Sequence, residues 1–307
     1  MIRNMLKSLG QHKKPDKGEN QPPPAYLSHP LILPPGETEE SIFNYLSSYH
    51  FPDEPVGEMQ NYLKEDFRRF LYTLQIIPKG CGKLLDIGAN PYFTTMLLKK
   101  FTEYDVYCTN FFGSETPKSA SQHKLNVDNE RIAFKYHTYN VEGDNIPYPE
   151  KTFDVILFCE VIEHLTQDPL KAIINVKKML KPGGCLILTT PNVSRLENVA
   201  KMLAGANIYD PYSGYGIYGR HNREYNCHEI NQLLTHAGFT IEHMFTIDVH
   251  ENRSTHYCNL NNIKSLLKHR KNDIGQYIFL RAKNLKEANS KKPSWLHRSY
   301  PSQEIVP

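Results

Sequence analysis

The sequence predicts an α/β protein, a three-layer sandwich in which helices cover both faces of a mostly parallel, seven-stranded sheet. Two observations carry this. Between Lys83 and Thr190 short, nearly continuous apolar runs alternate with helical patterns, the signature of strands buried on both faces and joined by crossover helices. Toward the C-terminus two further strand-like runs, FTIEHMFTIDV and QYIFLRAKN, have no strong helical pattern between them, which predicts an antiparallel pairing at the sheet edge.

Taken in order, residues 1–36 read as a flexible arm. The stretch from about 10 is polar and proline-rich, although Ile2, Met5, Leu6 and Leu9 have helical spacing beside Arg3 and Lys7, as a surface or partner helix would. Residues 37–80 form a helical segment: SIFNYLSSY, then a long pattern from Met59 that ends before Pro78-Lys79-Gly80. Residues 81–285 hold the main domain. Its strands are KLLDIG, DVYCTN, IAFKYHTYN, FDVILFCE, GCLILTT and the last two runs; its helices are YFTTMLLKKF, PLKAIINVKKML and one near 227–237. The polar tail, 286–307, is expected to be loosely held.

Composition narrows the function. Lys+Arg 36 against Asp+Glu 33 gives a net charge of +3, too small to imply a nucleic-acid partner. No run of eighteen apolar residues predicts a spanning helix, and MIRNMLKSLG lacks the features of a secretory signal. The six cysteines are scattered, several within apolar runs, as in a reducing compartment. These observations predict a cytoplasmic protein; oligomeric state is not legible.

Ligands of open α/β sheets bind beyond the carboxyl ends of the strands. The first strand ends Asp86-Ile87-Gly88-Ala89-Asn90-Pro91, with one glycine where a pyrophosphate-binding turn has three. Such a turn suits a cofactor that presents an amino-acid carboxylate and ammonium.

LLDIGAN, PYPEKTFDVILFCEVIEHL and MLKPGGCLILTTPN, with HNREY and AGF beyond, resemble the class I S-adenosylmethionine-dependent methyltransferases, particularly the ubiquinone-pathway-like branch, over residues 60–282. The sequence also resembles bacterial members associated with glycans. The resemblance implies a Rossmann-like fold, S-adenosylmethionine as cofactor, and a small-molecule or saccharide acceptor. It implies a cofactor site of Asp86, Gly88, Ala89, Asn90, Asn110, Asn140, Val141, Glu142, Cys159 and Glu160. Asn110 and Asn140 replace the acids usual at the ends of the second and third strands, with Glu142 a substitute carboxylate for the latter.

For a hydroxyl acceptor a general base assists transfer, and His221, Glu163 and His164 are the candidates. A helix beginning after Glu160 would put Glu160, Glu163 and His164 on one face. The segment 194–226 is longer than a connection needs and reads as an acceptor lid. Tyr209, Tyr212, Tyr215 and Tyr218, with Arg220 and Arg223, supply flat rings and donors for a hydroxylated ligand. Small-RNA 2′-O-methyltransferases carry a similar E-V-x-E-H run, so Glu160, Glu163, His164 and His221 are an alternative divalent-metal set; the preferred reading has no metal. The remaining alternative is a non-catalytic cofactor-binding scaffold.

Overall fold

The computed structural model describes residues 29–50, 56–113, 121–127, 130–270 and 272–307. The arm's apolar positions Ile2, Met5, Leu6 and Leu9 lie outside these residues. Two helices lead into the domain. Helix α1 (Glu39–Ser47) is fixed by a capping box in which Thr38 and Ser41 satisfy each other's backbone amides. Helix α2 spans Val56–Ile76 and buries Leu63, Phe67, Phe70 and Leu71.

The predicted strands are β2 (Cys81–Ile87), β3 (Glu103–Asn110), β5 (Glu130–Thr138), β6 (Phe153–Cys159), β7 (Leu180–Pro191), β8 (Phe239–Ile247) and β9 (Tyr277–Asn284). They lie in the order β5-β3-β2-β6-β7-β9-β8. β5, β3, β2, β6 and β7 are mutually parallel, β9 is antiparallel to β7, and β8 is antiparallel to β9. The reversed strand is therefore one in from the edge.

Two further strands, β1 (Tyr49–His50) and β4 (Ser121–Val127), extend the far side to nine. Their sequences carry little apolar alternation. Backbone pairing with β5, from Ser121 opposite Tyr136 to Val127 opposite Glu130, defines β4.

Helices α3 (Phe93–Phe101), α4 (Pro169–Met179), α5 (Leu196–Leu203) and α6 (Cys227–His236) complete the layers, with a short α7 at Lys264–Leu267. Helix α4 starts sharply because Asp168 caps it and Pro169 occupies its first turn. Leu186 and Leu188 of β7 enter the cluster with Ile173, Val176, Leu233 and Leu234 from α4 and α6. Cys185 and Ile187 enter the opposite cluster with Tyr72 and Ile76 of α2. Successive strand residues face opposite layers, and this alternation also decides the geometry of the site.

The last residues of the arm and the C-terminal tail make specific contacts. Residues 29–36 of the arm lie along α2: His29 stacks on Phe245 at 3.7 Å between ring centroids, and Tyr72 donates to the His29 carbonyl at 2.9 Å. The C-terminal tail adds a short parallel pair, β10 (Lys292–Pro293) with β11 (Ile305–Val306). Its His297 is buried and hydrogen-bonds Asp168 at 3.1 Å, tying the tail to the start of α4. No helix among the described residues is long and apolar enough to cross a membrane.

Candidate active site

The turn after β2 is built around the end of β3. Gly88 has φ of +75°, and a Cβ there would stand 3.0 Å from Val161 Cγ2, so the position favours glycine on both counts. The Gly88 and Ala89 amides both donate to the Thr109 carbonyl, at 2.9 and 3.2 Å. Asp86 is buried and accepts from Thr95 of α3 at 2.7 Å; burial pushes its carboxyl up to about 6 against that hydrogen bond. Asp86 therefore orients the turn.

Asn110 is also committed to structure. Its Oδ1 accepts from the Asn90 amide and its Nδ2 donates to Tyr92 Oη, both at 2.9 Å, at 2% exposure. Both ends of the Asn110 amide thus hold the turn, with one lone pair and one N–H remaining for the ribose contact expected there.

Glu142 departs from its expected role. Its carboxylate accepts from the amides of Thr166, Gln167 and Asp168 and from the Thr166 hydroxyl, at 2.6–3.1 Å. It clamps the loop before α4 and has no capacity left as a substitute adenine ligand. The Val141 carbonyl is taken by Asn175 Nδ2 at 3.0 Å, while Asn140 Oδ1 accepts from the Glu142 amide at 3.0 Å. Cys159 is half-buried behind the β6 end, its thiol pushed well up by burial.

Glu160 and Glu163 were expected on one helical face; they sit on opposite sides of the sheet. Glu160 ends the strand with φ of +53°, and the helix is only a 3₁₀ turn, Ile162–His164. Glu160 Oε1 accepts from Thr189 at 2.8 Å, and Glu163 Oε2 accepts from Thr190 at 2.9 Å. Adjacent residues of β7 point to opposite layers, so the two threonines separate the two carboxylates.

On the α2 side Glu160 meets Arg69, whose Nη1 is 3.8 Å away. Arg69 also bonds Asp66 at 3.1 Å and Tyr62 at 2.6 Å, all within a buried network. Burial raises the Glu160 carboxyl to about 8, against Arg69 and helped by the charge of Glu163.

On the other side Glu163 is fully buried, and its Oε1 has no hydrogen-bond partner. Burial raises this carboxyl to about 7, with His221 the main opposing influence. Donor atoms of Glu163, His164 and His221 lie within 4.8 Å of one another; Glu160, on the far side, is not among them.

Each imidazole is oriented through its Nδ1: His164 against the Arg220 carbonyl at 2.9 Å, His221 against Glu224 Oε1 at 3.0 Å. Arg195 in turn holds Glu224 Oε2. Burial works to lower the His221 pKa but is outweighed by the Glu224 hydrogen bond and by the charges of Glu163, Glu224 and Asp210, which bring it to about 8. His164 has its pKa lowered by burial and by His221.

The HNREY segment is stitched onto the E-V-x-E-H turn: the Asn222 and Arg223 amides donate to the Glu163 carbonyl. Beside it is a cavity of about 470 Å³, lined by Val193, Tyr209, Asp210, His221, Arg223 and Glu224 among others. The lid tyrosines do not form one surface. Tyr209 lines the cavity, and Tyr218 packs edge-on against Phe111 at 5.0 Å. Tyr212 and Tyr215 are 91% and 85% exposed. The Arg220 guanidinium stacks over Tyr212 and bonds Asn222, and the Arg223 guanidinium pairs with Glu229, so both cations brace the lid.

Sequence reasoning missed Tyr62, Asp66, Arg69 and Tyr277 on the α2 side, and Arg195 and Glu224 behind His221. The Asp66-x-x-Arg69 spacing was the available signal for the first group, and the acid three residues after His221 for the second.

Residues 57–244 match the family model described as a methyltransferase domain. The tRNA N(3)-cytidine methyltransferase METTL2 of Mus musculus is 30% identical over 195 residues, 61% of this chain and 46% of that protein. A ubiquinone biosynthesis O-methyltransferase of Colwellia psychrerythraea is 28% identical over 149 residues, 47% of this chain and 52% of that protein. The chain thus spans about half the length of the curated relatives it matches. A solved S-adenosylmethionine-dependent methyltransferase from Archaeoglobus fulgidus superimposes with a TM-score of 0.45 at 15% identity, covering 73% of this chain and 93% of that one. With the family model matched across the cofactor turn, the E-V-x-E-H turn and the lid, the chain belongs to the class I S-adenosylmethionine-dependent methyltransferases.

Proposed function

We propose that the chain methylates a hydroxyl group of a small or oligomeric hydroxylated acceptor, a saccharide or glycan precursor, with His221 as general base. The observation that carries this reading is the Glu224–His221 pair at 3.0 Å on the wall of the 470 Å³ cavity. Glu224 fixes the Nδ1 proton and leaves Nε2 as the basic atom.

The left-handed Gly88 turn, where a side chain would crowd Val161, fits a cofactor lying against backbone. Gly88, Asn90, Asn140 and Glu160 are the residues that would hold it, and the buried Arg69 guanidinium suits its carboxylate. When bound, S-adenosylmethionine supplies an activated methyl group. The acceptor would be positioned in line with that methyl group, and His221 would take the proton of its hydroxyl. The charge of Glu163 beside the imidazole favours the imidazolium that forms.

The test is transfer of labelled methyl to a saccharide panel. Wild type should label at least one member, and His221→Ala should lose about 10²–10⁴-fold of that rate. Equal rates in the two proteins would remove His221 from the reaction.

A second reading is favoured by one specific arrangement. Glu163 Oε1 is buried without a partner, and two imidazoles beside it are each oriented through Nδ1, as the outer partners of metal-ligating histidines do. A divalent cation held by Glu163, His164 and His221 would assist a vicinal diol, including the ribose of an RNA acceptor. That reading requires transfer to be abolished by EDTA and restored by Mn²⁺ or Co²⁺. An RNA acceptor adds a steep loss of affinity with salt. Saturable S-adenosylmethionine binding without transfer to any acceptor would favour the scaffold instead.

A further inference from the structure

A second cavity, of about 350 Å³, opens on the α2 side, away from His221. Asp66 and Tyr277 line it, and both belong to the layer that receives Glu160. Its remaining walls come from Glu65 of α2, Glu197 and Lys201 of α5, and His250, Glu251, Arg253 and Tyr257 of the loop after β8.

The charges here are of both signs, and the cationic side chains make no ion pair among the described residues. Lys201 faces only the Tyr257 ring, at 5.8 Å. Among the described residues the Arg253 guanidinium makes no hydrogen bond; its backbone amide donates to Glu197 and its carbonyl accepts from the His256 amide. Elsewhere on the molecule Arg195, Arg223, Arg281 and Lys181 each hold a carboxylate.

Asp66 is 8% exposed. Its Oδ1 receives Arg69 and Tyr277, at 3.1 and 3.4 Å, whereas its Oδ2 has no partner among the described residues. A carboxylate this buried, with one oxygen left for a ligand, marks the acidic end of the cavity.

The donor end is similarly prepared. Gln276 Oε1 accepts from the Val249 and His250 amides, so its Nε2 must be the group that donates to His250 Nδ1, at 2.9 Å. In the neutral ring that hydrogen bond leaves the proton on Nε2, a donor beside Lys201 and Arg253.

We propose that this cavity binds a small zwitterion, its ammonium group at Glu65 and Asp66 and its anionic group at Lys201, Arg253 and His250. The tyrosine rings at its walls suit the intervening carbon chain. Asp66 and Arg69 link the site to Glu160, so an occupant there touches the network that fixes Glu160. The site does not depend on the identity of the methyl acceptor and is separable from the reading above.

The full-length chain titrated with glycine, 4-aminobutyrate and 6-aminohexanoate, with butylamine and butyrate as single-charge controls, tests the proposal by calorimetry or saturation-transfer NMR. At least one amino acid should saturate, and each control should bind at least about tenfold more weakly, because either loses one end of the site. Arg253→Gln should weaken the amino acid about tenfold and leave butylamine unaffected; Glu65→Gln should do the reverse for butyrate. Both substitutions are at exposed positions, and melting temperature confirms folding. Absence of saturable binding across the series overturns the proposal, as does equal binding of the controls. Methyl transfer to saccharides, present or absent, bears only on the other cavity.

Discussion

Replacing Glu224 with glutamine isolates the electrostatic support of His221. The imidazole has its pKa raised from 6.5 to about 8, and the Glu224 hydrogen bond is the largest of the contributions that raise it. A group whose folded pKa lies above its unfolded value stabilises the protein fully below the unfolded value and loses that contribution as pH rises through the folded one. A rise from 6.5 to about 8 corresponds to about 2 kcal/mol, an upper bound because Glu163 and Asp210 remain. Glu224→Gln should therefore destabilise the protein by about 1–2 kcal/mol more at pH of about 6 than at about 9.5. Loss of the Arg195 pair costs the same at both pH values and cancels in the difference. Urea unfolding of both proteins at the two pH values measures it, and an NMR titration of His221 should show the midpoint falling toward 6.5 or below. A pH-independent difference, or an unmoved midpoint, would refute the assignment of Glu224 as the partner that charges His221. The same shift sets the rate profile: as a base His221 acts when neutral, so kcat/KM should rise with pH through about 8.

Three further outcomes are expected. Gly88→Arg must place a side chain at φ of +75°, with its Cβ 3.0 Å from Val161, and should weaken S-adenosylmethionine binding at least about a hundredfold by calorimetry; unchanged affinity would move the cofactor away from this turn. Asn110→Asp keeps the acceptor for the Asn90 amide but loses the donor to Tyr92, and adds a buried charge. It should cost about 1–3 kcal/mol in unfolding free energy without tightening cofactor binding, and a tenfold gain in affinity would restore a ribose contact to this position. Glu142→Gln replaces one accepting oxygen with an amide NH2 that can only donate toward the N–H groups, so it should lower the melting temperature by several degrees, a cost of about 2–4 kcal/mol. An unchanged melt would show that the loop before α4 needs no clamp.

The fold was legible because its strands are written in apolar runs that require burial on both faces. KLLDIG, FDVILFCE and GCLILTT all became central strands, and the D-x-G and E-V-x-E-H motifs fell at the carboxyl ends of β2 and β6. What could not be read is β4: SQHKLNV has no core-facing pattern, and its pairing depends on the backbone of β5. The tail was misjudged for a related reason. Its polar residues make specific bonds, His297 to Asp168 and Lys292 to Glu304, that composition does not reveal.

The site was half legible, and the division follows chemistry. A glycine turn, two acids and two histidines do collect at the strand ends. Their roles were harder to assign because a polar side chain near a cofactor turn can serve the turn itself. Asn110, expected at the ribose, accepts from the Asn90 amide and donates to Tyr92 Oη, and Glu142, expected near the adenine, accepts four bonds from the loop before α4, contacts that only the folded chain brings within 3 Å or so. The largest error was conformational. Reading Glu160, Glu163 and His164 as one helical face assumes that the helix begins at once, but Glu160 still belongs to the strand end and only three residues form a turn. Thr189 and Thr190, adjacent on β7 and fully buried, then bind one acid each on opposite layers. Glu163, His164 and His221 therefore gather on one side, while Glu160 joins Arg69 and Asp66 on the α2 side. The separation of the two acids follows from strand alternation at a pair of threonines that no motif identifies, and it gives the two sides of the sheet different chemistry.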